Sequence, residues 1–266
     1  MTQILATSLL TRCFGSLTAV DSLSLSVERG EVFGLLGRNG AGKTTLLKML
    51  TTLLRPTSGS ATVAGYDIVR QGADVRRVIG YVPQILSTDG ELTGYENLWI
   101  FAKLYDIPRA LREGRIRDGL AFMGLADAAD KLVNTYSGGM IRRLEIAQSM
   151  LHRPQVLFLD EPTVGLDPVA REAVWKRIEQ LRADYDTTIF LTTHYMEEAA
   201  HLCTRLAIMR QGRATVVGTL KELERAVGGE NVTLDDVFAR YTGDEIEAVG
   251  EYRATARARR TAKRLG

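Results

Sequence analysis

Gly37-Arg38-Asn39-Gly40-Ala41-Gly42-Lys43-Thr44-Thr45 is the stretch that decides how this chain is read. Ahead of it runs Val32-Phe33-Gly34-Leu35-Leu36, an unbroken apolar segment that predicts a buried strand. Behind it, Leu46-Leu47-Lys48-Met49-Leu50 predicts the first turns of a helix. The spacing G-x-x-x-x-G-K-[ST] between a strand and a helix is that of a phosphate cradle. A triphosphate needs many donors close together. Backbone N–H groups supply them where no Cβ intervenes, which accounts for glycines at 37, 40 and 42. The helix opening at Lys43 adds its positive dipole end. The Lys43 ammonium is placed to reach the outer phosphates and the Thr44 hydroxyl to ligate Mg²⁺. A glycine turn with no ligand would leave that lysine and threonine without a purpose.

Working outward, the composition is ordinary for a globular chain of 266 residues, with 45% hydrophobic and 25% charged. It bounds the answer to one large domain or two modest ones. A net charge of +2 gives no bulk attraction to a polyanion, and no nucleic-acid partner is expected. Cys13 and Cys203 lie far apart without metal-ligand spacing, which predicts two unpaired thiols in a reducing compartment. The first residues lack a charged-then-apolar targeting pattern. No apolar run approaches the roughly 18 residues that span a bilayer. A soluble, cytoplasmic protein is expected, with any membrane contact made through a separate partner.

Three further strand ends carry polar groups. Residues 76–84 predict a strand around Val78-Ile79-Gly80-Tyr81-Val82 that Pro83 stops, leaving Gln84 at its carboxyl end. Parallel sheets place ligand-binding groups at that edge. Val156-Leu157-Phe158-Leu159 predicts a buried strand ending in Asp160-Glu161-Pro162. Adjacent carboxylates there are poor structural choices unless a cation neutralises one. Residues 163–168 form a loop with Gly165 and Asp167, and Pro168 opens a helix whose inner face is Val174, Ile178 and Leu181. Thr188-Ile189-Phe190-Leu191-Thr192-Thr193 is another buried strand, followed at once by His194.

Elsewhere, Leu23-Ser24-Leu25-Ser26-Val27 alternates, as a half-buried antiparallel strand does, and Phe14 precedes a turn at Gly15. Residues 60–65 predict a short strand. Residues 92–151 are mostly helical, with Leu98, Phe101, Ala102 and Tyr105 and then Ile116, Leu120, Met123 and Leu125 in helical register. Ser137 is an N-cap. Gly138 and Gly139 just inside that helix are costly unless something approaches the backbone closely, as an anion would. Met140, Ile141, Leu144, Ala147 and Leu151 form one face of it. Residues 206–217 predict a closing hairpin. In residues 219–266, Leu220, Leu223 and Ala226 mark a helix, Gly228-Gly229 a break, and Leu234, Val237 and Phe238 a second short helix that docks. Arg253, Arg257, Arg259, Arg260, Lys263 and Arg264 form a basic tail, either solvated or facing anionic lipid headgroups or an acidic segment.

Together these residues resemble the nucleotide-binding subunit of ATP-binding cassette transporters, over residues 3–217 and into the appendix. Residues 37–45 match the family's Walker A, Gln84 its Q-loop, and Tyr136-Ser137-Gly138-Gly139-Met140 its signature motif. Leu157-Phe158-Leu159-Asp160-Glu161-Pro162 matches Walker B with the following glutamate, Gly165-Leu166-Asp167 the D-loop, and His194 the switch histidine. Phe14 stands where the family stacks an aromatic ring on adenine. Tyr136 replaces the usual leucine and Met140 the usual glutamine, which removes a polar contact at the fifth signature position.

The resemblance implies an α/β fold. It has a P-loop NTPase core with a mixed sheet, an N-terminal antiparallel β subdomain, a helical insertion at about 88–151 and a short C-terminal extension. The cassette would be residues 1–218 and the extension 219–266. It also implies an ATPase that uses ATP and Mg²⁺, with Thr44, Gln84 and Asp160 at the metal, Glu161 as general base and His194 sensing the γ-phosphate. Ser137, Gly138, Gly139 and Met140 would contact ATP held by another subunit, in a homodimer or with a paired cassette. Residues 84–110 would grip an integral membrane permease, which places the chain peripherally on the inner face of the cell membrane. Asp89-Gly90-Glu91-Leu92-Thr93-Gly94-Tyr95-Glu96-Asn97-Leu98 and Leu234-Asp235-Asp236-Val237-Phe238 resemble the daunorubicin-resistance branch of exporters. An importer motor and a cassette ATPase that works without a permease are the other readings.

Overall fold

The structure is a computed structural model that describes residues 2–228 and 232–243; Gly229 and the basic tail from Arg253 onward lie outside the described residues. The chain runs through β1 (Gln3–Phe14), β2 (Leu17–Glu28), β3 (Val32–Leu36), α1 (Lys43–Leu50), β4 (Ser58–Val63), β5 (Tyr66–Asp67), α2 (Gly72–Val78) and β6 (Ile79–Val82). Then follow α3 (Gly94–Leu104), α4 (Arg109–Phe122), α5 (Gly138–Met150), β7 (Val156–Asp160), α6 (Pro168–Tyr185), β8 (Thr188–Thr193), α7 (Met196–Leu202), β9 (Arg205–Arg210), β10 (Arg213–Gly218), α8 (Leu220–Val227) and α9 (Leu234–Thr242).

Two sheets result. One is antiparallel, in the order β2-β1-β4-β5, and the other is mixed, in the order β10-β9-β3-β8-β7-β6. In the mixed sheet β9, β3, β8, β7 and β6 are parallel, and β10 joins β9 as an antiparallel edge. Continuous apolar runs suit these strands because both faces are covered. Alternate residues part to opposite sides, as the strand period requires. Phe33, Phe158 and Phe190 meet on the face shared with α1 and the antiparallel sheet. Leu157, Leu159, Ile189 and Leu191 pack on the other face with the helices of residues 94–151 and α6. Helices α8 and α9 share a third cluster with the sheet: Leu223, Val237 and Phe238 pack with Leu36, Leu206 and Ile208.

The mixed sheet, the antiparallel β subdomain and the helical insertion agree with the expected fold. Two local expectations are corrected. Residues 76–78 belong to α2, and the strand begins only at Ile79, because Val75 is the one buried residue of that helix and leaves no helical stripe to read. Helix α5 is not apolar on one face only: Arg142, Glu145, Gln148 and Ser149 are buried beside Leu144, Ile146 and Ala147. It is walled in by β6 on one side and by α3, α4 and α6 on others, so its polar residues find partners inside the protein.

Two residues of the insertion show why its sequence looks as it does. Asn97 is buried and bridges residues 89 and 93, donating to the carbonyls of Asp89 and Thr93 and accepting from the Asp89 amide. Tyr136, the residue that replaces leucine, is also buried and donates its hydroxyl to the Ala128 carbonyl at 2.6 Å. A Cβ at Gly94 would meet that hydroxyl at 2.3 Å, so glycine there makes room for the phenol.

Candidate active site

The parallel strands bring four polar strand ends to one edge. β3 leads into Gly37, β6 into Gln84, β7 ends in Asp160 and Glu161, and β8 leads into His194. The Gly37 amide donates to the Thr193 carbonyl at 3.2 Å and so ties the glycine loop to β8. Gly42 caps α1 with φ 103°, and a Cβ on it would lie 2.2 Å from the Ala19 carbonyl oxygen, so only glycine fits. The first-turn amides of α1 have no intrahelical acceptors, and they face the same way as the dipole's positive end.

Lys43 is buried, and its ammonium donates to the carbonyls of Gly37 at 2.8 Å and Arg38 at 3.2 Å. It also pairs with Glu161 Oε1 at 3.1 Å. The other Glu161 oxygen accepts from Gln84 Nε2 at 3.1 Å. His194 Nδ1 lies 3.2 Å from that same oxygen, outside hydrogen-bond geometry. The Thr44 hydroxyl donates to Asp160 Oδ1 at 3.1 Å. Lys43, Thr44, Gln84, Asp160, Glu161 and His194 therefore form one cluster, drawn from four separate segments of the chain.

Glu161 sits at φ 48°, in the left-handed region that a non-glycine residue enters at a cost. It is held there by its own amide, which donates to both the carbonyl and the hydroxyl of Thr192, each at 3.1 Å. Strain maintained in this way is a mark of functional sites. Here it separates the two neighbouring carboxylates, so that Asp160 meets Thr44 and Glu161 meets Lys43.

The other sequence-predicted residues lie around this cluster. Phe14 is exposed at the tip of the β1–β2 hairpin, with the Arg12 guanidinium 4.5 Å above its ring. Ser137 caps α5 and accepts from the Met140 amide at 3.3 Å. The Gly138 and Gly139 backbone is approached closely, but from within the chain. A Cβ on Gly139 would lie 2.8 Å from that of Ala170, and one on Gly138 would lie 3.3 Å from Leu166. Asp167 caps α6 by accepting from the amides of Val169 and Ala170 at 3.0 Å. Arg38, Asn39, Gly40, Ala41 and Thr45 complete the loop and its helix, with Gly40 at φ 80°.

Reading the sequence missed the supports. Thr192 donates to Asp160 Oδ1 at 2.6 Å, and a threonine pair at the end of an apolar strand was the available signal. Glu198 is buried and accepts from Thr163 at 2.7 Å and from the Trp175 indole at 3.0 Å, which fastens the loop after Glu161 to α6 and α7. Arg142 and Glu145 hold the segment around Gln84, and opposite charges three apart in an apolar helix were their only trace.

A strand–glycine loop–helix whose lysine meets a glutamate, beside a threonine and an aspartate, defines a nucleoside-triphosphatase site. Residues 20–164 match the sequence profile of the ABC transporter family. The chain belongs to that family as its ATP-binding domain, and it is an ATPase. It is 44% identical over 236 residues to the daunorubicin resistance ATP-binding protein DrrA3 of Streptomyces coeruleorubidus, covering 89% of this chain and 73% of that one. It is 44% identical over 247 residues to the daunorubicin/doxorubicin resistance ATP-binding protein DrrA of Streptomyces peucetius, covering 92% and 74%. Among solved structures, an ATP-binding subunit of an ABC transporter superposes with a TM-score of 0.80 at 29% identity, covering 90% of this chain and 99% of that one.

Proposed function

We propose that this chain is the motor subunit of an exporter, hydrolysing ATP to drive a drug, lipid or other hydrophobic compound through a separate membrane permease. The observation that carries the catalytic half is the single cluster of Lys43, Thr44, Gln84, Asp160, Glu161 and His194 at the carboxyl edge of the sheet. The loop amides and Lys43 hold the β- and γ-phosphates. Glu161 orients water in line with the γ-phosphorus and takes its proton as the bond to ADP breaks. His194 contacts the γ-phosphate and senses its loss. Phe14 supplies a stacking face for adenine.

The hard oxygens of Thr44 and Asp160, already 3.1 Å apart, fit Mg²⁺, with Gln84 as the further candidate donor. When bound, the ion neutralises charge on the phosphates and the leaving group. Gln84 joins the cluster through its amide nitrogen, so its amide oxygen would be the atom to serve as a donor to the ion.

The chain carries one Walker A and one Ser137-Gly138-Gly139 motif. A site built from both therefore needs a second cassette, identical or paired, and two ATP molecules would be sandwiched between two chains. Ile85 (81% exposed) and Leu104 (71% exposed), with Leu86, Trp99 and Ile100, are exposed apolar residues within residues 84–110, which suits contact with a permease segment. Among the described residues no helix is long and apolar enough to cross a membrane, so attachment to the inner face would run through that permease. The resistance functions in the relatives' names support export over import. Residues 1–218 would be the cassette and 219–266 its extension. The test is to identify a membrane protein that co-purifies with the chain, isolate the complex, and screen compounds for stimulation of phosphate release. A complex whose hydrolysis responds to hydrophobic compounds supports the proposal. A chain that hydrolyses ATP at full rate alone and retains no membrane protein contradicts it.

A further inference from the structure

Helix α5 starts at Ser137 and passes behind the segment that carries Gln84. Its two charged residues there, Arg142 and Glu145, are 3% and 2% exposed. Arg142 Nη1 donates to the Pro83 carbonyl at 2.7 Å and Nη2 to the Gln84 carbonyl at 2.9 Å. The guanidinium fork is pre-shaped for such a two-pronged grip. Nη1 also lies 3.0 Å from Glu145 Oε2, and Glu145 Oε1 accepts from the Ser87 amide at 2.5 Å and the Ser87 hydroxyl at 3.1 Å. One buried ion pair thus holds both ends of residues 83–87.

Stability alone does not account for this arrangement. Burial pushes the Arg142 pKa down and the Glu145 pKa up, each away from its charged form. Apolar residues of similar volume commonly replace a buried ion pair with no loss of stability. Glu145 Oε2 makes no hydrogen bond and faces only the charge of Arg142. What the pair does supply is fixed geometry. The residues of the gripped loop, Gln84, Ile85 and Leu86, are exposed. Without the grip, nothing in the backbone ladder of β6 extends past Val82 to fix where Gln84 points.

We infer that Arg142 and Glu145 are positioning residues for ATP hydrolysis: they lock residues 83–87 onto the helix that opens at Ser137 and so hold the Gln84 amide against Glu161. The inference rests on the reading of Gln84 as a group that acts at the metal and the attacking water. It also gives the Ser137 end of α5 a rigid connection to the Gln84 segment and its apolar neighbours.

The test uses the full chain and four variants: Arg142→Met with Glu145→Leu, Arg142→Lys, Glu145→Asp, and Gln84→Ala as the benchmark. Steady-state ATP hydrolysis, the half-saturating Mg²⁺ concentration, thermal midpoint and amide exchange at Ser87 are measured on each. The double variant is expected to lose about ten-fold in kcat with KM for ATP within about two-fold of wild type. Its half-saturating Mg²⁺ should shift in the same direction as in Gln84→Ala, and its Ser87 amide should exchange faster. Arg142→Lys keeps the charge but gives up the fork, and is expected to lose about three-fold in kcat at unchanged KM. Glu145→Asp keeps the charge and partly rescues turnover.

A double variant whose kcat stays near wild type overturns the inference. So does one whose loss lies wholly in KM or in thermal midpoint. If Gln84→Ala turns over normally, the reading of Gln84 fails; a double variant that still loses kcat then acts by another route, which also overturns the inference. If the double variant does not fold, Arg142→Lys decides: wild-type kcat and Mg²⁺ dependence in that variant refute the role.

Discussion

Thr192 offers a sharp test of how the site is held. Its hydroxyl donates to Asp160 Oδ1 at 2.6 Å and accepts from the Glu161 amide at 3.1 Å, and the residue is fully buried. Thr192→Val keeps the shape and removes both contacts. The Glu161 amide retains its bond to the Thr192 carbonyl, so the loss falls chiefly on the charge-assisted bond to Asp160. Such a bond contributes about 1.5–3 kcal/mol. Asp160 keeps Thr44 as a donor, which places the expected loss near the lower end, about 2 kcal/mol. For a domain of this size that corresponds to a fall of roughly 4 °C or more in thermal midpoint. Turnover should fall by about ten-fold as well, because Asp160 and the strained Glu161 are oriented by the same hydroxyl. Thr192→Ser is the control: it loses a buried methyl group but keeps the hydroxyl, so it should lose stability while keeping near wild-type kcat. Differential scanning fluorimetry and a phosphate-release assay read both quantities. A valine variant with unchanged midpoint and turnover, or a serine variant as inactive as the valine one, would show that the Thr192 hydroxyl does not hold the site.

Two more outcomes follow from the geometry. Gly139→Ala is expected to cost about 1–3 kcal/mol by overpacking, because its Cβ would meet that of Ala170 at 2.8 Å. Gly138→Ala, which meets only the end of the Leu166 side chain at 3.3 Å, should cost less, and equal thermal midpoints for the two would contradict the packing. His152 stacks on Tyr105 with ring centroids 3.9 Å apart, and burial holds its pKa below the ordinary 6.5, with Arg115 adding to the effect and the bond to the Ile79 carbonyl opposing it. The folded state therefore binds this proton less readily than the unfolded chain, and stability falls as pH drops below 6.5 toward the folded value. Between about pH 7.5 and about pH 5.5 the thermal midpoint of His152→Gln should drop less than that of wild type, and parallel drops would remove His152 as the cause.

Much of this arrangement is legible in the sequence, and the reason is local. β3, the glycine loop and α1 are contiguous, as are β7 with Asp160-Glu161 and β8 with His194, so pattern and chemistry sit in the same few residues. β1 is not legible as a strand because its alternation is broken. Leu9 stands at φ 46°, and the register with β2 shifts more than once. α2 was hidden by having a single buried residue. Thr192, Glu198, Arg142 and Glu145 escaped for a different reason. Each is polar, buried and justified by a partner far along the chain: Asp160 for Thr192, Thr163 for Glu198, Gln84 and Ser87 for the pair on α5. At Gly138-Gly139 the close approach shows in the structure as packing on the side where a Cβ would stand, against Leu166 and Ala170, which is a contact with residues far along the chain that the local sequence does not display.

On the function proposed above, the cluster around Glu161 is half of a hydrolytic site which a second cassette completes. Glu161→Gln keeps the length and packing of a side chain that is 5% exposed but removes the base. Light scattering on that variant with and without MgATP tests the claim directly. A MgATP-dependent dimer that hydrolyses its nucleotide poorly is the predicted result. A variant that stays monomeric with ATP bound, or that turns over like wild type, would contradict it.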